Sequence, residues 1–251
     1  MVKVSFYNST RKKLVGLLEL PKQKNPSVVV MMHGLKGHKT YYSFMNYLAQ
    51  QLVKNGYATF RFDFNTHGES WNDWKHFTRR RCAEDFKAAL AFIRRQPVDP
   101  QRIGVFTTSM GADAFILAPQ TVKAAVLHNP FILSKLMKDW IQDYEKENRK
   151  RGYIQLNLNA TGEKLNYGLS LLEESLHFKP EPYARRVRCP TLLIFGDEDA
   201  EHLNAGKDTY QLFNCEKKME IIKGMEHWRT TPEQNKMIAK LSLEWFKKHL
   251  I

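Results

Sequence analysis

The chain is poor in the features that would place it in several large classes. It has three cysteines in 251 residues, Cys82, Cys189 and Cys215, at unrelated spacings. That excludes a disulfide framework and a cysteine-based metal knuckle. No apolar run approaches the ~20 residues of a membrane-spanning helix; Val28 to Met32 has the length of a strand. The N-terminal MVKVSFYNSTRKK lacks an apolar h-region, so no secretory signal is read and a cytoplasmic protein is expected. No internal repeat, low-complexity stretch, glycine-rich phosphate loop or dinucleotide fingerprint is present. The sequence therefore calls for no cofactor and no metal.

What is abundant is positive charge. Lys and Arg number 39 against 26 acids, a net charge of +13. Such a balance raises nucleic acid or an anionic surface as partners. The basic clusters are scattered, however: Arg11 to Lys13, Arg79 to Arg81, Lys146 to Arg151, Arg185 to Arg188 and Lys247-Lys248. Acids lie between them and no nucleic-acid motif accompanies them. We read the charge as a solvated surface, with no nucleic-acid partner and no membrane span. A monomer or homodimer is expected.

Short apolar runs alternate with longer amphipathic ones, the signature of β/α units around a largely parallel sheet. Val2 to Tyr7 and Leu14 to Leu20 read as an opening antiparallel pair. Val28 to Met32 is too apolar to be half exposed and reads as a central strand. Strands are also expected at Tyr57 to Phe62, Arg102 to Phe106, Ala124 to Leu127, Thr191 to Phe195 and Met219 to Ile222. Helical spacing appears at Tyr42 to Asn55, Arg80 to Arg95, Ala112 to Ala118 and from Pro232 onward. Between Phe131 and Arg188 the rhythm breaks in a segment too long for an ordinary connection. We therefore divide the chain into a core, residues 1–131 and 189–251, and a helical cap inserted at 132–188, after the sixth strand.

Chemistry concentrates at the ends of the expected strands. Ser109 lies between a strand and an Ala-rich helix, in Thr107-Thr108-Ser109-Met110-Gly111. A serine on such a sharp turn is held above the sheet as a nucleophile. Thr107 stands where the G-x-S-x-G elbow has its first glycine, and an isolated Ser before a helix is commonly an N-cap. Chain order strengthens the reading. A serine nucleophile needs an imidazole to take its proton and a carboxylate to orient that imidazole. In doubly wound hydrolases these follow in the order serine, acid, histidine. After Ser109 come Gly196-Asp197-Glu198-Asp199 and Gly224-Met225-Glu226-His227, each after a strand.

Of nine histidines, His33, His38, His67 and His76 precede the serine. His128 has no neighbouring carboxylate, His177 falls in the cap, His202 is only three residues from Asp199, and His249 is on the last helix. His227 remains as the base. Asp199 and Asp197 compete for the acid; Asp199 is favoured, with Asp197 as a turn residue. The oxyanion hole is expected from the Met110 N–H and from the Leu35 N–H in His33-Gly34-Leu35-Lys36-Gly37. His33 reads as a buried residue that shapes this loop, and Asp63 as a brace for the loop at Gly68. Trp140, Tyr144 and Tyr167, with Tyr153, either stack on an aromatic acyl group or dock the cap onto the core.

These stretches, with Arg61 to Ser70, resemble the α/β-hydrolase superfamily and, more narrowly, the small-capped feruloyl/cinnamoyl esterase group. The resemblance implies an α/β-hydrolase fold: a mostly parallel central sheet, helices on both faces and a small helical cap. It implies a Ser109, Asp199, His227 triad with Leu35 and Met110 at the oxyanion hole. The expected activity is serine carboxylic-ester hydrolysis on a small acyl or aryl ester. A thioesterase, acyltransferase or peptidase would use the same triad, and an inactive binding protein would retain it. Dehalogenases and epoxide hydrolases need Asp at the Ser109 position, and dienelactone-type chemistry needs Cys. Thr107, Asp113 and Leu35 depart from the group's usual residues.

Overall fold

In the computed structural model, residues 1–70, 74–118, 121–130, 145–157, 164–227 and 229–250 are described. Eight strands form one sheet in the order β1-β2-β4-β3-β5-β6-β9-β10. They are β1 (Val2–Tyr7), β2 (Lys13–Glu19), β3 (Val28–Met32), β4 (Ala58–Phe62), β5 (Ile103–Thr108), β6 (Ala124–His128), β9 (Thr191–Gly196) and β10 (Lys217–Ile222). β1 and β2 run antiparallel and the rest are parallel from β4 to β10. β3, β4, β5, β6 and β9 are buried along their whole length, as strands covered on both faces must be.

Helices α1 (Ser43–Lys54) and α8 (Pro232–His249) cover one face. There Phe44, Leu48, Ile238 and Trp245 pack against Val29, Met31, Phe106 and Ile194. Helices α2 (Arg79–Ile93), α3 (Gly111–Leu117) and α7 (Ala200–Leu212) lie on the other face. Phe86, Leu90, Phe115 and Phe213 fill that core. α7 has only a thin apolar face: Leu203 and Tyr210 pack half-buried against this core beside the buried Gly206 and Thr209.

The described part of the insertion is not purely helical. It is helical at 145–151 (α4) and then forms an antiparallel hairpin of β7 (Tyr153–Asn157) and β8 (Lys164–Gly168). α5 (Leu169–His177) and α6 (Glu181–Ala184) follow. The hairpin corrects the all-helical expectation for physical reasons visible in the residues. Gly152 turns the chain at φ +81°, and Ile154 faces Tyr167 across the pair with both side chains buried. Alternation over five residues is a strand period, too short to stand out in a charged stretch.

The order of strands places the site. From β3 the chain steps to β4 on one side, then crosses to β5 on the other. The loops after β3 and β5 therefore part at a switch point, where crevices form in open parallel sheets. Gly34 follows β3 and Ser109 follows β5.

Candidate active site

Ser109 sits at φ +51°, in the left-handed region that non-glycine residues rarely occupy. Its N–H donates to the His128 carbonyl (3.0 Å), and its own carbonyl accepts from the Ala112 N–H (3.0 Å). The turn is sharp because Gly111 lets it press against the β3 loop: a Cβ there would lie 2.9 Å from the His33 carbonyl oxygen. Thr107 does not disturb the turn. It is a buried residue of β5, between Met32 and Leu127 of the neighbouring strands. Its hydroxyl has no hydrogen-bond partner.

His227 comes from the loop after β10. Its Nε2 lies 3.0 Å from Ser109 Oγ, and its Nδ1 lies 2.5 Å from Asp199 Oδ2. With Nδ1–H donating to the carboxylate, Nε2 is left to accept from the serine hydroxyl. Burial of the imidazole outweighs the Asp199 hydrogen bond and sets its pKa below the ordinary value. The ring is thus neutral near pH 7, the form a base requires. Burial pushes the Asp199 carboxyl up, but hydrogen bonds from His202 and His227 outweigh it and hold the group well below the usual carboxylate range.

Asp199, rather than Asp197, faces the histidine. Asp197 Oδ1 instead accepts the Gly224 N–H (2.5 Å), joining the two loops. Those loops are in contact: a Cβ on Gly196 would fall 1.8 Å from the Met225 carbonyl oxygen.

Two residues that the sequence did not mark complete this arrangement. Asn129, at φ 39° just past β6, accepts the Gly196 N–H through Oδ1 (3.0 Å). Its Nδ2 donates to the carbonyls of Glu226 (3.1 Å) and His227 (2.8 Å). One buried amide thus spans the acid strand and the histidine loop. The second residue is His202, whose Nδ1 lies 2.5 Å from Asp199 Oδ1. A left-handed Asn after a strand is a turn signal in sequence, but nothing local reveals what its amide reaches.

The β3 loop crosses beside the nucleophile. A Cβ on Gly34 would lie 3.0 Å from Ser109 Cβ, so the loop carries Leu35 into the vicinity of the serine while Met110 follows it in the chain. His33 is buried; its Nε2 accepts from the Phe64 N–H (3.1 Å) and its Nδ1 donates to the Gly34 carbonyl (2.7 Å). Burial keeps its pKa well down, so it is a neutral brace. The Leu35 carbonyl accepts from the Tyr167 hydroxyl (2.7 Å) and is also contacted by His67 Nε2. Tyr167 is buried among core residues and joins the insertion to this loop. Asp63 accepts from the Lys39 N–H (2.7 Å), Lys39 Nζ (2.6 Å) and the Glu69 N–H (2.9 Å), and a Cβ on Gly68 would meet its carboxylate. Trp140 and Tyr144 lie outside the described residues. Among the described residues, no helix is long and apolar enough to cross a membrane.

Sheet order, switch point and the serine turn define an α/β-hydrolase fold. The family model for Hydrolase_4, serine aminopeptidase S33, matches residues 23–170, and the chain belongs to that family. It is 22% identical to the uncharacterized 31.7 kDa protein of the traX-finO intergenic region of Escherichia coli, over 90% of this chain and 92% of that one. Among solved structures it is similar to Est1E of Butyrivibrio proteoclasticus bound to ferulic acid. The TM-score is 0.78 at 19% identity, covering 97% of this chain and 99% of that one. Dienelactone hydrolase of Anabaena variabilis superposes with a TM-score of 0.72 at 22% identity, over 100% of this chain and 98% of that one.

Proposed function

We propose that the protein is a serine carboxylic-ester hydrolase acting on small acyl or aryl esters. The observation that carries this reading is the unbroken line from Ser109 Oγ to His227 Nε2 at 3.0 Å and from His227 Nδ1 to Asp199 at 2.5 Å. Ser109 attacks the ester carbonyl while His227 Nε2 takes the hydroxyl proton, and Asp199 stabilises the imidazolium that forms. The Leu35 and Met110 N–H groups receive the oxyanion, as their places beside the serine permit. Collapse of the tetrahedral species expels the alcohol, which takes its proton from His227. Water, deprotonated by the same imidazole, then releases the acyl group.

Residues 132–188 act in this reading as a cap that shapes the acyl pocket. A feruloyl-type acyl group is the first substrate to try, since the Est1E neighbour binds ferulic acid. The family's description as serine aminopeptidases favours one second reading, hydrolysis of N-terminal amino-acid amides by the same three residues.

The test is a panel of p-nitrophenyl esters from acetate to laurate, methyl ferulate, and amino-acid p-nitroanilides, run on wild type and Ser109→Ala. The expected result is ester turnover that falls by about 10⁴-fold or more in the variant. Turnover of anilides in place of esters would install the peptidase reading. Equal rates in wild type and variant would remove Ser109 from the chemistry.

A further inference from the structure

Acyl transfer requires one imidazole on the acid, yet Asp199 is bracketed by two. His202 Nδ1 and His227 Nδ1 each lie 2.5 Å from a different oxygen of its carboxylate. The two rings are 4.1 Å apart, centroid to centroid, and inclined by 36°. One donor atom from each of the three side chains falls within 4.8 Å of the others. We propose that Asp199, His202 and His227 form a site for a borderline transition-metal cation of the zinc class, and that its occupation switches the hydrolase off. The switching half rests on the role of His227 given under Proposed function; the binding half does not.

Two imidazoles and a carboxylate are a donor set that suits Zn²⁺. Asp199 and His202 lie three residues apart, at the N-cap and on the first turn of α7, and His227 reaches in from the loop after β10. The ligands thus come from two segments on a partly exposed edge, with His202 and His227 at 18% and 22% side-chain exposure. Bonds of ~2.0–2.2 Å in a tetrahedral arrangement would open each Nδ1–oxygen separation to about 3.3 Å. Side-chain torsions supply such a movement at a partly exposed edge.

The consequence for catalysis follows from proton bookkeeping on one ring. In the metal-free site the His227 proton is on Nδ1, and Nε2 accepts from Ser109. A Zn²⁺ ion takes the Nδ1 lone pair, so the single proton of the neutral His227 ring moves to Nε2 through solvent, and the Nδ1 proton by which His202 faces Asp199 moves to its own Nε2 in the same way. No proton is lost and no electron changes hands. Nε2–H then points at Ser109 Oγ as a donor and cannot take its proton. Removal of the ion reverses the exchange.

Co²⁺ titration of Ser109→Ala protein reads the site directly, because that variant keeps all three ligands and the cobalt d–d bands report imidazole coordination. One equivalent is expected to bind. Adding His202→Gln, which keeps an amide to face Asp199, is expected to weaken binding by about tenfold or more. In the active protein Zn²⁺ is expected to inhibit reversibly, with chelator rescue, and His202→Gln to raise the inhibition constant by the same factor. Absence of cobalt bands in Ser109→Ala overturns the proposal. So does equal cobalt affinity, or an equal zinc inhibition constant, in the presence and absence of His202. A wild type without hydrolase activity would refute the proposed function, while the cobalt titration would still judge the metal site.

Discussion

At the sheet edge, chemical groups are held by tight backbone turns that the side chains of Asn129 and Asp197 tie together; the insertion between β6 and β9 is attached chiefly by side chains. Ser109 owes its place to a left-handed turn pressed against β3, and the acid and histidine loops meet where Gly196 leaves no room for a Cβ. The insertion is attached otherwise. Arg79, buried at the start of α2, donates to Asp113 of α3 (2.8 Å) and to Ser175 of α5 (2.6 Å). Glu174 of α5 accepts the N–H groups of Arg79 (2.6 Å) and Arg80 (3.0 Å). The Tyr167 hydroxyl reaches the Leu35 carbonyl. Backbone geometry constrains the reacting groups whatever the substrate, whereas a docked insertion is free to vary with it.

That contrast can be broken from the sheet side first. Asn129→Gly keeps the left-handed backbone but removes the amide that joins both loops, and is expected to lower kcat by about 10²-fold with KM little changed. Steady-state kinetics on the best ester checks it; an unchanged kcat would show that the loops hold themselves. From the insertion side, Tyr167→Phe removes one of two contacts on the Leu35 carbonyl. A loss of about fivefold in kcat is expected, the cost of one hydrogen bond of ~1 kcal/mol. A change confined to KM would instead make Tyr167 a pocket residue.

A smaller effect concerns pH. The base must be neutral, so activity is lost as pH falls through the pKa of His227, and burial sets that value below the ordinary one. The acid limb of kcat/KM is therefore expected to have its midpoint under about 6.5. A midpoint above that value would mean that Asp199 outweighs burial. The smallest effect is at Thr107, whose buried hydroxyl lacks a partner. Thr107→Val is expected to leave activity intact and to be neutral or stabilising by about 1 kcal/mol in chemical denaturation.

The same division explains what could be read in advance. Val28 to Met32 announces a central strand because its five apolar residues, three of them β-branched valines, suit a strand covered on both faces. The three residues that chain order singled out, Ser109, Asp199 and His227, lie in a hydrogen-bonded line, since β5, β9 and β10 follow one another across this half of the sheet in chain order. Asn129 carried no signal, and His202 was set aside as a base for its closeness to Asp199, because their roles lie in contacts of single side chains that no period reveals. Helix α7 offers only Leu203 and Tyr210 beside Gly206 and Thr209 as its inner face, too thin a stripe to announce a helix, and the β7–β8 hairpin was hidden in a charged segment whose alternation spans only five residues per strand. Tyr167 was marked as aromatic pocket or dock, and its contact with the Leu35 carbonyl is a fact of packing between distant segments.

The central claim is that Ser109 is a nucleophile activated by His227. Treating the protein with a fluorophosphonate and reading intact and peptide masses tests it without knowledge of the substrate. One adduct per chain, mapped to Ser109, absent in Ser109→Ala and slowed below the pKa of His227, is the result the account predicts. A folded protein that takes no adduct, or one labelled equally with and without Ser109, would contradict it.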